Sequence, residues 1–165
     1  MLEELNMKAR LVLDDCRRAL EMVEQATNDT DFRVSWIALV TLLRAVGHVL
    51  DKVDRSASPV VSKAIDEQWK LIKDKEKNKI YWQFIKEERD AALKTYELGP
   101  HYGEIGVLVQ NANTTEIFTI DDYLFTPLKE GPFSGEDARN IANNAIDWWD
   151  IQLLKIASNA KISIK

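Results

Sequence analysis

Between Phe32 and Val53 the chain runs for 22 residues without a turn signal, and it is apolar on nearly every side. From Phe32 to Leu50 the clearly polar side chains are Arg33, Ser35, Thr41, Arg44 and His48. Its β-branched residues would also suit a strand, but the length decides for a helix. A helix this apolar belongs at the centre of a bundle, so the other segments must supply faces to cover it. Its most apolar part, Val34 to Leu43, is too short to span a bilayer and runs straight into Arg44.

The flanking segments fit that demand. From Leu2 to about Ala26, Leu5, Ala9, Val12, Cys16, Leu20 and Val23 recur at helical spacing. Asn28-Asp29-Thr30-Asp31 interrupts the pattern and offers N-cap oxygens. Ser58-Pro59 reads as an N-cap followed by proline at the first helical position, opening a helix through Ile72. The alternating charges from Lys73 to Lys79 read as a solvated face or a kink. Ile80 to Glu97 is helical again, stopped by Leu98-Gly99-Pro100.

Beyond Pro100 the texture changes. Gly106 to Gln110 and Glu116 to Ile120 are β-type runs around a polar connection, which predicts a hairpin over about residues 104–121. Ser134 with Asp137 three residues later resembles a capping box for a last helix. That helix should bury Ala138, Ala142, Ala145, Trp149, Leu153 and Ile156. The expected architecture is mainly α: one domain over 1–165, an antiparallel bundle of four or five helices, with a small β-hairpin between the last two.

Several chemistries are excluded. A single cysteine, Cys16, allows neither an internal disulfide nor a cysteine-cluster zinc site, and suits a reducing cytoplasm. The two histidines, His48 and His101, are too few for a three-histidine zinc site. No Glu-x-x-His pair, glycine-rich phosphate loop or Gly-x-Ser-x-Gly elbow occurs, so no metal or cofactor is expected. No signal peptide is visible and no membrane association is expected. The net charge of −5 argues against a general DNA- or RNA-coating protein. Residues 101–150 hold nine acids against Lys129 and Arg139, a net −7, and should face solvent or a basic partner.

The positive signal is a polar stripe. At about 100° per residue, Arg33, Arg44, His48, Asp51 and Arg55 fall within about 60° of arc. Arg44 and His48 are one helical turn apart. On the later helix Glu88 falls among Phe84, Ala91 and Ala92, whereas Glu87 points away. An inward carboxylate needs a partner, and Arg44, or else Arg89, is expected to supply it. Tyr81 and Tyr96 carry hydroxyls that could reach this cluster, although nothing in the sequence requires it. The alternatives are a buried ion pair that fixes helix register or a groove where chemistry occurs.

The run Ser35 to Leu50 and the segment Phe84 to Glu97, with its Glu88-Arg89-Asp90, resemble bacterial HEPN-like helical proteins. The similarity covers about Phe32 to Glu97. It implies a homodimer and metal-independent RNA cleavage by Arg44 and His48, with Glu88, Asp51 and Arg89 as a supporting polar cluster. It further implies a cytoplasmic setting of RNA-directed or toxin–antitoxin type. Here the spacer between arginine and histidine is only Ala45-Val46-Gly47, shorter than the four to six residues of the family's ribonucleases. A non-catalytic module that binds a protein or ligand, or a structural dimer, is the competing expectation.

Overall fold

The computed structural model describes residues 3–120 and 124–164. The chain is mainly helical, with five α-helices among the described residues and a two-stranded antiparallel hairpin before the last of them. A short strand β1 (Glu3–Leu5) precedes α1 (Lys8–Gln25), α2 (Asp29–Lys52) and α3 (Pro59–Ile72). A π-helical turn (Ile80–Ile85) leads into α4 (Lys86–Lys94), followed by β2 (Ile105–Gln110), β3 (Thr115–Ile120), α5 (Ala138–Ala160) and β4 (Ile162–Ile164).

The caps explain most boundaries. Asn28 accepts from the Asp31 amide at 2.9 Å and Ser58 from the Val61 amide at 3.2 Å, with Pro59 opening α3 as its fixed φ allows. Met7, ahead of α1, provides no such side chain. Asp54, in a 3₁₀ turn after α2, takes over that role from a distance. Its two oxygens accept from the Lys8 amide at 2.8 Å and the Ala9 amide at 2.9 Å. Asp54 is only 5% exposed, and burial raises its pKa while the two amides oppose the shift.

Three boundaries differ from expectation. The first segment begins as strand rather than helix, because β1 pairs in parallel with β4, Glu3 opposite Ile162. Leu2 and the side chain of Leu5 lie outside the described residues. The α4 segment stops at Lys94, not Glu97, because Tyr96 takes a left-handed φ of +57° and the Glu97 amide turns back to the Ala91 carbonyl. The α5 N-cap is Asp137, which accepts from the Arg139 amide at 3.0 Å. Ser134 instead donates to the Lys129 carbonyl, because Gly131 and Gly135 at positive φ curl residues 131–136 into turns.

The core is continuous through the helices. Trp36, Leu39, Leu43, Val46 and Leu50 of α2 meet Leu13, Cys16 and Leu20 of α1 and the predicted stripe of α5, all of it buried. Helix α2 is not enclosed on every side, since Val34 is 58% exposed. By length and hydropathy alone α2 would also suit a membrane span; in this fold its apolar residues pack against α1, α4 and α5. Trp149 is sealed inside, its indole N–H donating to the Leu43 carbonyl at 2.8 Å, while Trp148 sits half-buried at the rim. The hairpin pairs Ile105 with Ile120 through Gln110 with Thr115. Asn111 closes its turn by accepting from the Asn113 and Thr114 amides.

Candidate functional site

Arg44, Gly47, His48 and Asp51 from α2, Asp66, Trp69 and Lys73 from α3 and its end, and Tyr81 and Trp82 from the π-helical turn line an open groove of about 410 Å3. Arg55 closes the lower end. Its Nε and Nη2 donate to Asp51 Oδ1 at 3.0 and 2.7 Å, and its Nη1 donates to Asp66 Oδ1 at 2.6 Å. This Asp51–Arg55–Asp66 chain ties the end of α2 to α3, and the Arg55 hydrogen bonds hold the Asp51 carboxyl below its usual range.

The floor depends on a glycine. A Cβ at Gly47 would stand 3.0 Å from the Trp149 ring and 3.2 Å from the Trp69 ring. The lack of a side chain at Gly47, immediately before His48, therefore lets both indoles press against α2. Trp69 also meets Tyr81 edge to face, with centroids 5.7 Å apart. The Trp69 indole N–H and the Thr41 hydroxyl are buried with no hydrogen-bond partner among the described residues.

Arg44 donates from Nη1 to the Tyr81 hydroxyl, and its guanidinium carbon lies 5.2 Å from the Tyr81 ring centroid. Tyr81 is buried and its pKa is raised by that burial, so its hydroxyl stays protonated and keeps a hydrogen to donate. His48 is exposed on the groove lip. Its pKa is lowered, first by partial burial and then by Arg44, Arg89 and Lys52, against the opposing Asp51. The imidazole is therefore largely neutral at pH 7 and able to accept a proton.

Of the residues expected at one site, the structure joins Arg44, His48, Asp51, Arg55 and Tyr81 in this groove and separates the others. Glu88 does face inward, but it bonds neither Arg44 nor Arg89. Its Oε2 accepts from the Trp36 indole at 3.3 Å and from the Gly99 amide at 3.2 Å. Burial raises its pKa, with those two donors and Lys129 opposing the shift. The reason is that Arg44 sits two turns beyond Trp36 and is taken by Tyr81. Arg89 pairs with Asp90 at 2.9 Å. Asp90 also binds Lys94 at 3.0 Å, and these partners hold its pKa at about 2.

Glu88 lines a separate cleft of about 900 Å3 with Ala91, Leu98, Lys129 and Pro132. Tyr96 lines this second cleft and not the groove. Arg33 is paired with Asp29 at 2.6 Å at the start of α2, away from the groove. Gly47 and Trp69 were legible only as spacer and packing residues, since their role depends on α3 and α5 converging there. Among the described residues no group of three or more His, Cys, Asp or Glu is placed to hold a metal ion. Comparisons of the chain with protein-family models, with curated proteins and with solved structures gave no match.

Proposed function

We propose that this is a HEPN-like cytoplasmic protein that cleaves RNA without a metal at the Arg44–His48 groove, working as a homodimer in an RNA-directed or toxin–antitoxin setting. The observation that carries the reading is an exposed, largely neutral His48 one helical turn from Arg44 on the lip of an open groove. His48 takes the proton of a ribose 2′-hydroxyl, whose oxygen attacks the adjacent phosphorus. The bond to the 5′-oxygen breaks, and that oxygen takes a proton from the protonated histidine of the second copy. Arg44 and the Tyr81 hydroxyl face the charge that develops on the phosphate oxygens. Products are a 2′,3′-cyclic phosphate and a 5′-hydroxyl.

A second reading has its own support. Arg44 is engaged by Tyr81, a contact that also serves to dock the π-helical turn on α2, as a non-catalytic binding module or structural dimer would need. Cleavage of labelled oligoribonucleotides in excess chelator separates the two. His48→Ala and Arg44→Ala, checked for intact folding by circular dichroism, should each lose cleavage by about two orders of magnitude or more. The acid limb of the pH–rate profile should lie below pH 6.5, because the reaction needs neutral His48 and its pKa is lowered. Undiminished cleavage by folded His48→Ala removes His48 from the chemistry. Absence of cleavage by the parent protein favours the binding reading.

A further inference from the structure

We propose that the β2–β3 hairpin is a docking surface for an extended, basic strand of a partner protein, which adds to the free edge of β2. Among the described residues the hairpin forms a sheet of its own, so each strand keeps one edge unpaired. A two-stranded hairpin alone is marginal in water. This one also presents apolar side chains outward: Leu108 is 61% exposed, its cross-strand partner Ile117 72%, and Phe118 on the other face 53%.

Edges of this kind are normally blunted by lysine, proline, a bulge or shortness. The β2 strand, Ile-Gly-Val-Leu-Val-Gln, has six residues and none of those features, and its register with β3 is unbroken. The exposed edge is therefore a template for another chain.

Charge selects the occupant. No Lys or Arg occurs between Lys94 and Lys129, while Glu104 at the entry to the hairpin and Glu116 on β3 are both exposed. A second copy of the same hairpin would bring like charges together, and nucleic acid would meet an acidic surface. A strand beside β2 that alternates apolar and basic residues places its apolar row next to Leu108, with Ile117 one strand further on. Its basic row lies next to Val109 on the reverse face, where a long lysine side chain can extend across Val109 toward Glu116.

The test uses the full chain and two synthetic peptides, one alternating Val and Lys and one alternating Val and Glu, read by fluorescence anisotropy. The Val–Lys peptide should bind, weaken as salt rises, and protect outer β2 amides from hydrogen exchange. The Val–Glu peptide should bind at least about tenfold more weakly. Leu108→Thr combined with Ile117→Thr keeps strand propensity while removing the apolar pair, and should also weaken binding about tenfold. Equal binding of both peptides, an unaffected variant, or no binding of the Val–Lys peptide at about 1 mM overturns the proposal. So does light scattering that shows a dimer dissociated by Leu108→Lys, since the edge would then belong to a second copy.

Discussion

Glu88 and Gly99 should behave as one energetic unit. A Cβ added at Gly99 would collide with the Glu88 carboxylate, its nearest neighbour in that direction. The carboxylate is the mobile end of its side chain, so in Gly99→Ala it swings aside and gives up both the Trp36 indole and the Gly99 amide. Glu88→Ala removes the same two bonds by deleting the acceptor. With each half-buried bond worth about 1 kcal/mol, either variant alone should lose about 2 kcal/mol. The double variant should also lose about 2 kcal/mol, not about 4, because the new methyl occupies space the carboxylate has left. Urea denaturation with unchanged m-values measures all three.

Additivity within about 0.5 kcal/mol would refute the shared-acceptor argument. Arg44→Ala is the control: combined with Glu88→Ala it should be additive, since the two side chains share no partner. The pH dependence has a definite sign. Glu88 has a folded pKa raised above its ordinary 4.5, so its contribution is fully present below pH 4.5 and is lost as pH rises through the folded value. The parent protein should therefore gain on Glu88→Gln as the pH falls toward 4.5.

Two further outcomes follow from buried groups. Asp54→Ala strips the acceptor from two amides at the start of α1 and should destabilise by about 3 kcal/mol in urea, with Asp54→Asn losing about 1 kcal/mol because one acceptor remains. A loss under about 0.5 kcal/mol for the alanine variant would mean that water or Met7 closes that helix end instead. Cys16 is buried and its thiol is pushed up to about 12, chiefly by that burial, so a thiol reagent at pH 8 should label it only on unfolding. Labelling of the native protein at the rate of a free thiol would place Cys16 at the surface.

What the sequence made legible is what local periodicity controls. The α5 stripe from Ala138 to Ile156, the Ser58-Pro59 start of α3, the presence of the hairpin and the inward position of Glu88 are set within a few residues of chain. Which partner meets an inward group is set elsewhere. Arg44 finds Tyr81 rather than Glu88 because the π-helical turn, not the helix that follows, packs beside it. Asp54 caps a helix that starts 46 residues earlier, and no spacing rule reaches that far. Gly47 reads only as part of the spacer between Arg44 and His48 and proves to be where two indoles approach the helix.

The π-helical turn sets a limit on how this chain can change in length. There the Lys86 amide reaches back five residues to the Tyr81 carbonyl, one more than an α-turn takes. Within it Tyr81 and Trp82 face the groove; beyond it Glu88 faces the second cleft. Deleting one residue there, such as Gln83, would let the segment close to a regular α-turn while the residues after it keep their facing, because the π-turn already holds one residue more than an α-turn. Substitutions at Gln83 alter one side chain, whereas a further residue gained there would turn the following helix by about 100° and rephase the two clefts against each other. Insertions among descendants of this sequence should therefore collect in the 111–114 turn of the hairpin, where an added residue turns nothing else.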